Sequence, residues 1–493
     1  MTIEHLLATV KKNNPMADLG LLKRAYDFAD AAHAGQKRMS GEPYINHPLG
    51  AAQILAEMRL DTTIIVAGLL HDVPEDTPVT LAEVKKNFGE DVASIVAGVT
   101  KLGKIKYRGV TRYLENLRKM FLAFAKDIRI ILVKFADRLY NLRTLAALPE
   151  KKRYRIALES LEIYAPIAAR LGMGEMRGQL EDASFKYTHP ADYQWVERLE
   201  AETYRQKEEA LEKIKKLTLQ ELATAGLKVQ KIQTRVKHLY SLYKKLLLHE
   251  KDVSKVHDLM ALRIIVDDIA DCYAALGVVH KLWRPLKGRI KDYIAQPKPN
   301  GYQSLHTTVF CPVGKEILTV EFQIRTQKMH EDAEYGIAAH WHYAEQGAKI
   351  PSRYVAWVKE LAGLQKEMLA ELKLKDIETL KIDVFQNRIF VFTPKGDVLD
   401  LPENATPIDF AYTVHTEIGN KCIGARVNDQ LVGLDTTLKN GDLVEIIIDK
   451  NRRGPSPDWL KFAHTHVART QIKGHAKSSL SGWLKSKIKK PSA

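Results

Sequence analysis

His47, His71, Asp72 and Asp137 have the side-chain types and local surroundings to hold a metal ion. His71-Asp72 ends the apolar run from Thr62 to Leu70, and alone such a pair is more often a helix-end hydrogen bond than a ligand set. His47 follows Pro43-Tyr44-Ile45-Asn46 and precedes Pro48, a residue suited to the first turn of a helix. Asp137 sits in Phe135-Ala136-Asp137-Arg138-Leu139, an apolar helical stretch where an unpaired carboxylate is costly. Two imidazoles and two carboxylates with no thiolate suit Mn²⁺ or a similar divalent ion better than structural zinc. Such an ion brings the pKa of bound water toward neutrality. Glu75 and Asp76 follow at once, carboxylates that can orient that water or take its proton. Metal-assisted hydrolysis is the chemistry to expect.

A second group of residues suits a nucleotide. Lys237, Ser241 and Lys245 are four apart, so on a helix they share one face that can hold a polyphosphate near a helix N-terminus. A solvated basic face has the same pattern, so the neighbours matter. Asp258 precedes a strand carrying Arg263, and Glu321 lies on another strand; the two carboxylates together can hold Mg²⁺ on a nucleotide. Tyr302, after Asn300-Gly301, presents a ring from a turn, and stacking a base on it is worth about 1–3 kcal/mol.

The elements that carry these residues follow from periodicity. Residues 1 to about 195 read as helical, with Ile128, Ile131, Leu132, Phe135, Leu139 and Leu142 forming one apolar face. A charged helical stretch from about Trp195 to Leu222 forms the start of a mixed α/β region, 196–345. There Ala261–Val266 is a β-branched run. Leu318, Val320, Phe322 and Ile324 alternate with Thr319, Glu321, Gln323 and Arg325, so the strand has one packed face. A helical linker at 346–380, a small β-rich unit at 381–450 and a basic tail at 451–493 complete the expected layout. The net charge of +15 is concentrated in that tail, where eleven Lys or Arg from Lys450 onward face one acid, Asp458. Such a tail is a mobile soluble end or a phosphate-backbone contact.

Composition narrows the class. A hydrophobic share of 45% and a charged share of 27% fit soluble domains with real cores. No apolar run approaches the ~20 residues of a membrane span. The N-terminal MTIEHLLATVKKNNP lacks the pattern of a secretory signal. Three scattered cysteines, Cys272, Cys311 and Cys422, make neither a disulfide framework nor a zinc motif, and a reducing cytoplasm is expected. His464, His466 and His475, without Cys or acidic partners, read as surface histidines.

The order His…His-Asp…Asp in a helical setting resembles the HD phosphohydrolases. The strings GQKRMSGEPYINHP, LLHDVPEDT, GVTKLGK and VKFADRLYNLRTL resemble, more narrowly, the hydrolase domain of the RelA/SpoT family, which removes the 3′-pyrophosphate from (p)ppGpp. That resemblance implies His47, His71, Asp72 and Asp137 as ligands of Mn²⁺, Glu75 and Asp76 as catalytic, and Arg38, Asn141 and Thr144 as contacts to the guanosine end. Met39 stands where the family usually has Lys, Pro74 where it has Val, and Tyr140 where it has His. Loss of one Lys–phosphate contact costs about 1.5–3 kcal/mol, so a working but weaker hydrolase is expected.

RVKHLYSLYKK, HDLMALRI, GRIKDYIAQPKPNGYQSLHTTV and VEFQIRTQKMHEDAEYGIAAHW resemble the same family's synthetase domain, of nucleotidyltransferase-like α/β fold. This implies transfer of the β,γ-pyrophosphate of ATP to the 3′-hydroxyl of GDP or GTP. By motif match, Asp258 holds Mg²⁺, with Glu321 as second ligand or as base. Arg235 and Arg263 sandwich adenine, and Lys237, Ser241 and Lys245 grip the ATP phosphates. Tyr302 stacks on guanine, with Lys291, Lys298, Asn300 and His306 around the acceptor. Arg289-Ile290-Lys291-Asp292 matches the basic RxKD form that accompanies bifunctional members. VFTPKGDVLDLPENATPIDFAYTVHTEIGNKCIGARVNDQLV resembles a TGS domain, a β-grasp module that implies tRNA or ribosome contact.

The expected architecture is therefore multidomain: an all-helical HD-type domain at 1–195, the synthetase domain, and the TGS unit. The expected function is a bifunctional alarmone enzyme, with its two sites alternately competent so that ATP is not cycled to waste. A synthetase with a degenerate hydrolase site, and a tRNA-associated sensor with little turnover, are the competing readings.

Overall fold

The computed structural model describes residues 2–103, 126–235, 237–256, 259–298, 300–314, 316–339, 388–394, 398–439, 441–452, 454–465 and 467–475. The expected helical linker at 346–380 and the basic stretch after 475 lie outside them. The chain divides into two compact units, Met1–Lys366 and Glu367–Ala493. No helix among the described residues is long and apolar enough to cross a membrane.

The first unit begins with α1 (Ile3–Asn13), α2 (Leu19–Ala32), α3 (Asn46–Glu57), α4 (Thr62–Leu70), the single turn α5 (Val73–Asp76) and α6 (Leu81–Gly103). The helix α4 is apolar all round and is accordingly central, with every residue from Ile64 to Leu70 buried. Asp61 starts it by accepting from the Ile64 N–H at 2.8 Å. Gly68 lets it approach α3 closely, since a Cβ there would stand 2.4 Å from Leu55 Cδ1. The expected apolar face forms α7 (Arg129–Arg143), which buries Ile131, Leu132, Phe135, Leu139 and Leu142 together with Asp137.

α8 (Glu150–Glu159), a π-helical turn at Ser160–Tyr164 and α9 (Ala165–Arg170) lead to α10 (Gly174–Thr188). The charged connector is one 35-residue helix, α11 (Pro190–Thr224). It enters a mixed sheet of β1 (Val229–Thr234), β2 (Met260–Val266), β3 (Arg284–Asp292), β4 (Leu305–Val313) and β5 (Glu316–Thr326), with α12 (Leu239–Leu248), α13 (Ile269–Leu282) and α14 (Gln327–Tyr335) around it. Among the described residues the strands lie in the order β1-β2-β5-β4-β3, with β2 and β5 parallel. Leu318, Val320, Phe322 and Ile324 pack into the core, as their alternation predicts. The opposite face of β5 is not open to water at its far end, where Gln323 and Arg325 are also buried. Arg325 tolerates this because Glu334 of α14 accepts from its guanidinium at 2.7 Å.

The second unit pairs β6 (Arg388–Phe392) with β7 (Val398–Pro402), and β8 (Cys422–Val427) with both β9 (Gln430–Val432) and β10 (Val444–Ile448). α15 (Pro407–Val414) packs against them, started by a reciprocal Thr406–Asp409 capping box. The segment expected as a basic tail differs from that expectation. Trp459, Ala463, Ala468 and Ile472 are buried with Ile408, Tyr412 and Cys422 in one core. Apolar side chains interleaved with the cations give the segment a face to bury, and Asp409 accepts from the backbone N–H of His464 and Thr465.

Candidate functional site

The end of α4, the start of α3 and the middle of α7 converge on His47, His71 and Asp137, a buried cluster able to coordinate a metal ion. His47 Nε2 lies 3.2 Å from Asp72 Oδ2 and 3.3 Å from Asp137 Oδ1. His71 Nε2 lies 3.2 Å from Asp72 Oδ1 and 3.9 Å from Asp137 Oδ1. Helix geometry explains the tautomer of His71. Its Nδ1 donates to the Gly68 carbonyl at 2.8 Å, which leaves the lone pair of Nε2 facing the carboxylates. That buried Nε2 has no hydrogen-bond partner, the state of an imidazole prepared to bind a cation. The donor set therefore fits a divalent ion. Burial disfavours charge on His47, but Asp137 and Asp72 together outweigh it and lift its pKa to about 9. Asp137 is held well below the usual carboxylate range despite its burial, chiefly by Lys134 and the two imidazoles.

A cavity of about 400 Å³ opens beside this cluster, lined by Lys37, Arg38, Met39, Asp137, Asn141 and Lys152 among others. Arg38 donates to Asn141 Oδ1 at 2.6 Å and to Thr144 Oγ1 at 3.3 Å, so the three residues expected to meet the guanosine end form one network. Asn141 in turn donates to Asp137, tying that network to the ligand cluster. Met39 is on the cavity's lip, 66% exposed, and Lys37 and Lys152 still give that lip positive charge. Tyr140 packs against Gly50, where a Cβ would collide with its ring at 1.9 Å, and lies beside the Arg38 guanidinium. Glu75 and Asp76 both lie on α5, next to Asp72.

The second group assembles on the sheet. Tyr302 Oη is 2.7 Å from His306 Nε2, and His306 Nδ1 is 3.1 Å from Glu321 Oε1. Gln323 donates to the other oxygen of Glu321 at 2.8 Å, and Arg235 Nη1 is 3.9 Å from it. Lys298 lies over the rings of Tyr293 and Tyr302. Lys291 stands opposite His306 in the β3–β4 register. Asn300 accepts from the Tyr302 N–H, and Arg263 lies opposite Gln323 on β2. Arg263 Nη1 is 3.0 Å from Glu334 Oε1, an ion pair with α14. Ser241 is turned toward α10, its hydroxyl 3.4 Å from Glu181 Oε2, while Lys245 lies one turn further along α12. Lys237 precedes that helix, and Asp258 lies outside the described residues.

Sequence reasoning did not single out Lys134, which donates to Asp137 Oδ2 at 2.6 Å. Its signal was readable, because residues three apart on a helix are neighbours. Tyr44 and Glu334 were also missed. The carboxylates that meet Tyr44 and the two arginines that meet Glu334 come from other elements, so no local spacing marks those contacts.

Comparison with known proteins agrees with this layout. The HD domain model matches residues 25–174, the model of the region found in RelA/SpoT proteins matches 234–348, and the TGS domain model matches 389–448. A protein of Mycobacterium tuberculosis named bifunctional (p)ppGpp synthase/hydrolase RelA is 46% identical over 481 residues, 96% of this chain and 64% of that protein. A probable GTP pyrophosphokinase of Mycobacterium leprae is 46% identical over 96% of this chain and 60% of its own length. A probable guanosine-3′,5′-bis(diphosphate) 3′-pyrophosphohydrolase of Synechocystis is 47% identical over 93% of this chain and 60% of its own. The chain thus spans less than two thirds of the length of these relatives. Three domain models are thus matched in this order, and near-half identity runs along almost all of the chain, which is similar throughout to proteins of the RelA/SpoT family.

Proposed function

We propose that this chain makes and degrades guanosine 3′-pyrophosphates at two separate sites. One site transfers the β,γ-pyrophosphate of ATP to the 3′-hydroxyl of GDP or GTP, releasing AMP. The other hydrolyses the 3′-pyrophosphate of (p)ppGpp. The observation that supports the reading most is the buried His47–His71–Asp137 cluster beside the Arg38–Asn141–Thr144 network.

In the hydrolase site His47, His71, Asp72 and Asp137 hold a divalent cation, Mn²⁺ by the character of the donors. When bound, that cation supplies a water acidic enough to ionise near neutrality. Glu75 and Asp76 orient the attacking water and take its proton. Arg38, Asn141 and Thr144 hold the nucleoside end, and their mutual hydrogen bonds set its distance from Asp137. In the synthetase site Glu321 accepts the proton of the 3′-hydroxyl or shares Mg²⁺ with Asp258. Arg235 and Arg263 take the adenine, while Tyr302, His306, Lys291, Lys298 and Asn300 take the acceptor. Lys237, Ser241 and Lys245 hold the donor phosphates, for which Glu181 has to give up Ser241. The TGS unit adds a contact for tRNA or the ribosome, strengthened by its cations and weakened by salt.

The test is pyrophosphate release from ppGpp with and without Mn²⁺, with His71→Ala and Asp72→Ala as blanks. Metal-dependent release, reduced at least about a hundredfold in both variants, is expected, with synthesis from ATP and GDP retained. A folded, metal-loaded protein that releases nothing would leave only the synthetase half of the proposal.

A further inference from the structure

The loop between α2 and α3 folds back on itself as a small hairpin. Lys37 and Pro43 form an antiparallel bridge, Tyr44 N–H donates to the Gln36 carbonyl at 3.0 Å, and Gly41 turns the tip at φ +86°. The hairpin sends Arg38 into the cavity and sets Tyr44 beneath the corner where α4 passes into α5. The Tyr44 ring stacks on His33 with centroids 4.5 Å apart. His33 Nδ1 lies 2.9 Å from Gln36 Oε1, and Gln36 Nε2 donates to the Asp76 carbonyl at 2.9 Å. The ring is thus held from its face, and the backbone it reaches toward is held as well.

The Tyr44 hydroxyl stands 2.6 Å from Asp76 Oδ2 and 3.0 Å from Asp72 Oδ2. A phenol carries one hydrogen, so two carboxylates from different turns converge on a single donor. Two like charges meeting this closely repel, and the hydroxyl dipole is what makes the approach favourable. We propose that Tyr44 is a positioning residue of the first site, its hydroxyl tying the Asp76 carboxylate to the Asp72 carboxylate of the ligand cluster. Its effect on turnover rests on the hydrolase reading above; its effect on cation binding does not. Hydrogen-bond partners of metal-ligating carboxylates orient the ligands and commonly change affinity or activity by about 10–100-fold.

The Tyr44→Phe variant removes one oxygen and keeps the ring on His33. We would measure Mn²⁺ binding by the electron paramagnetic resonance of the unbound ion, together with kcat and KM for ppGpp. The melting temperature and the rate of synthesis from ATP and GDP report on folding. The expected result is a kcat lower by about 10–100-fold with KM within about threefold, a weaker Mn²⁺ dissociation constant by about threefold or more, and unchanged melting and synthesis. Wild-type kcat together with wild-type Mn²⁺ affinity would overturn the assignment. So would a loss of kcat matched by equal loss of synthesis and melting temperature, which marks a packing role alone. If the unsubstituted protein releases no pyrophosphate, the hydrolase reading is what fails. The Mn²⁺ constant then decides for Tyr44, a weakening supporting the tie and no change refuting it.

Discussion

Lys298 lies 4.6 Å from the ring centre of Tyr293 and 5.3 Å from that of Tyr302. Although the residue is exposed as a whole, desolvation of its ammonium, reinforced by the neighbouring Lys291 and Arg177 cations, pushes its pKa down to about 8. The group is therefore charged below pH 8 and loses its charge as pH rises through that value. If it holds an anionic acceptor, the KM for GDP should climb between pH 7 and pH 9. The Lys298→Met variant should show a KM raised about tenfold at pH 7 and little further change with pH. A flat wild-type profile measured by initial rates would remove Lys298 from acceptor binding. At the other site, Lys37 and Lys152 line the cavity beside Met39 and give its lip positive charge.

The element α14 works on two sides. Glu334 holds Arg263 and Arg325 on the sheet, and Glu331 accepts from Arg59, whose guanidinium also lies over the Tyr335 ring. The helix ends at Gly336 with φ +55°, where a Cβ would stand 2.2 Å from the Leu171 carbonyl oxygen. The next residue uses the same close approach, Ile337 N–H donating to Leu171 O at 3.0 Å. A side chain here meets backbone rather than a movable side-chain end, so relief requires the helix to shift. Gly336→Ala should destabilise the first unit by about 2–3 kcal/mol, visible as an earlier urea midpoint. It should also lower synthesis, because Arg263 moves with Glu334. An unchanged midpoint would show that the helix end adapts without strain.

Across the first unit, the helical half and the sheet half meet at His238. Its Nδ1 is 2.8 Å from Asp182 and its Nε2 is 3.7 Å from Glu175, both on α10. Burial opposes charge on this ring, but the two carboxylates prevail and raise its pKa to about 9. A pKa raised on folding gives stability that is complete below the ordinary value of 6.5 and is lost as pH rises through about 9. Urea unfolding should therefore show a midpoint falling between pH 7 and pH 9.5, and His238→Gln should flatten that fall. Equal slopes in both proteins would mean that this link carries no net stability. The same surface of α10 places Glu181 against Ser241 and Lys244 at the start of the synthetase helix α12. Glu181 of one half thus meets Ser241, one of the groups proposed to bind donor phosphate in the other, together with the neighbouring Lys244.

Much of this was legible in the chain because it is local. His71-Asp72-Val73-Pro74-Glu75-Asp76 places the expected ligand pair and two further carboxylates within six residues, and the spacing of Ile131, Leu132, Phe135 and Leu139 marks the buried face of the helix that carries Asp137. The alternation of Leu318, Val320, Phe322 and Ile324 likewise marks the packed side of β5. Periodicity says which face is apolar but not what covers the other one, so the burial of Arg325 under Glu334 had no signature. The same holds for Trp459 and Ile472, whose cations read as a tail while their apolar partners, Ile408 and Cys422, lie dozens of residues earlier. Tyr44 is the clearest instance. A tyrosine before a histidine has no special spacing, and its role exists only because the folded chain brings Asp72 and Asp76 to one hydroxyl. Residue type and local period are properties of short segments, whereas the convergence of charges from distant segments is created by packing.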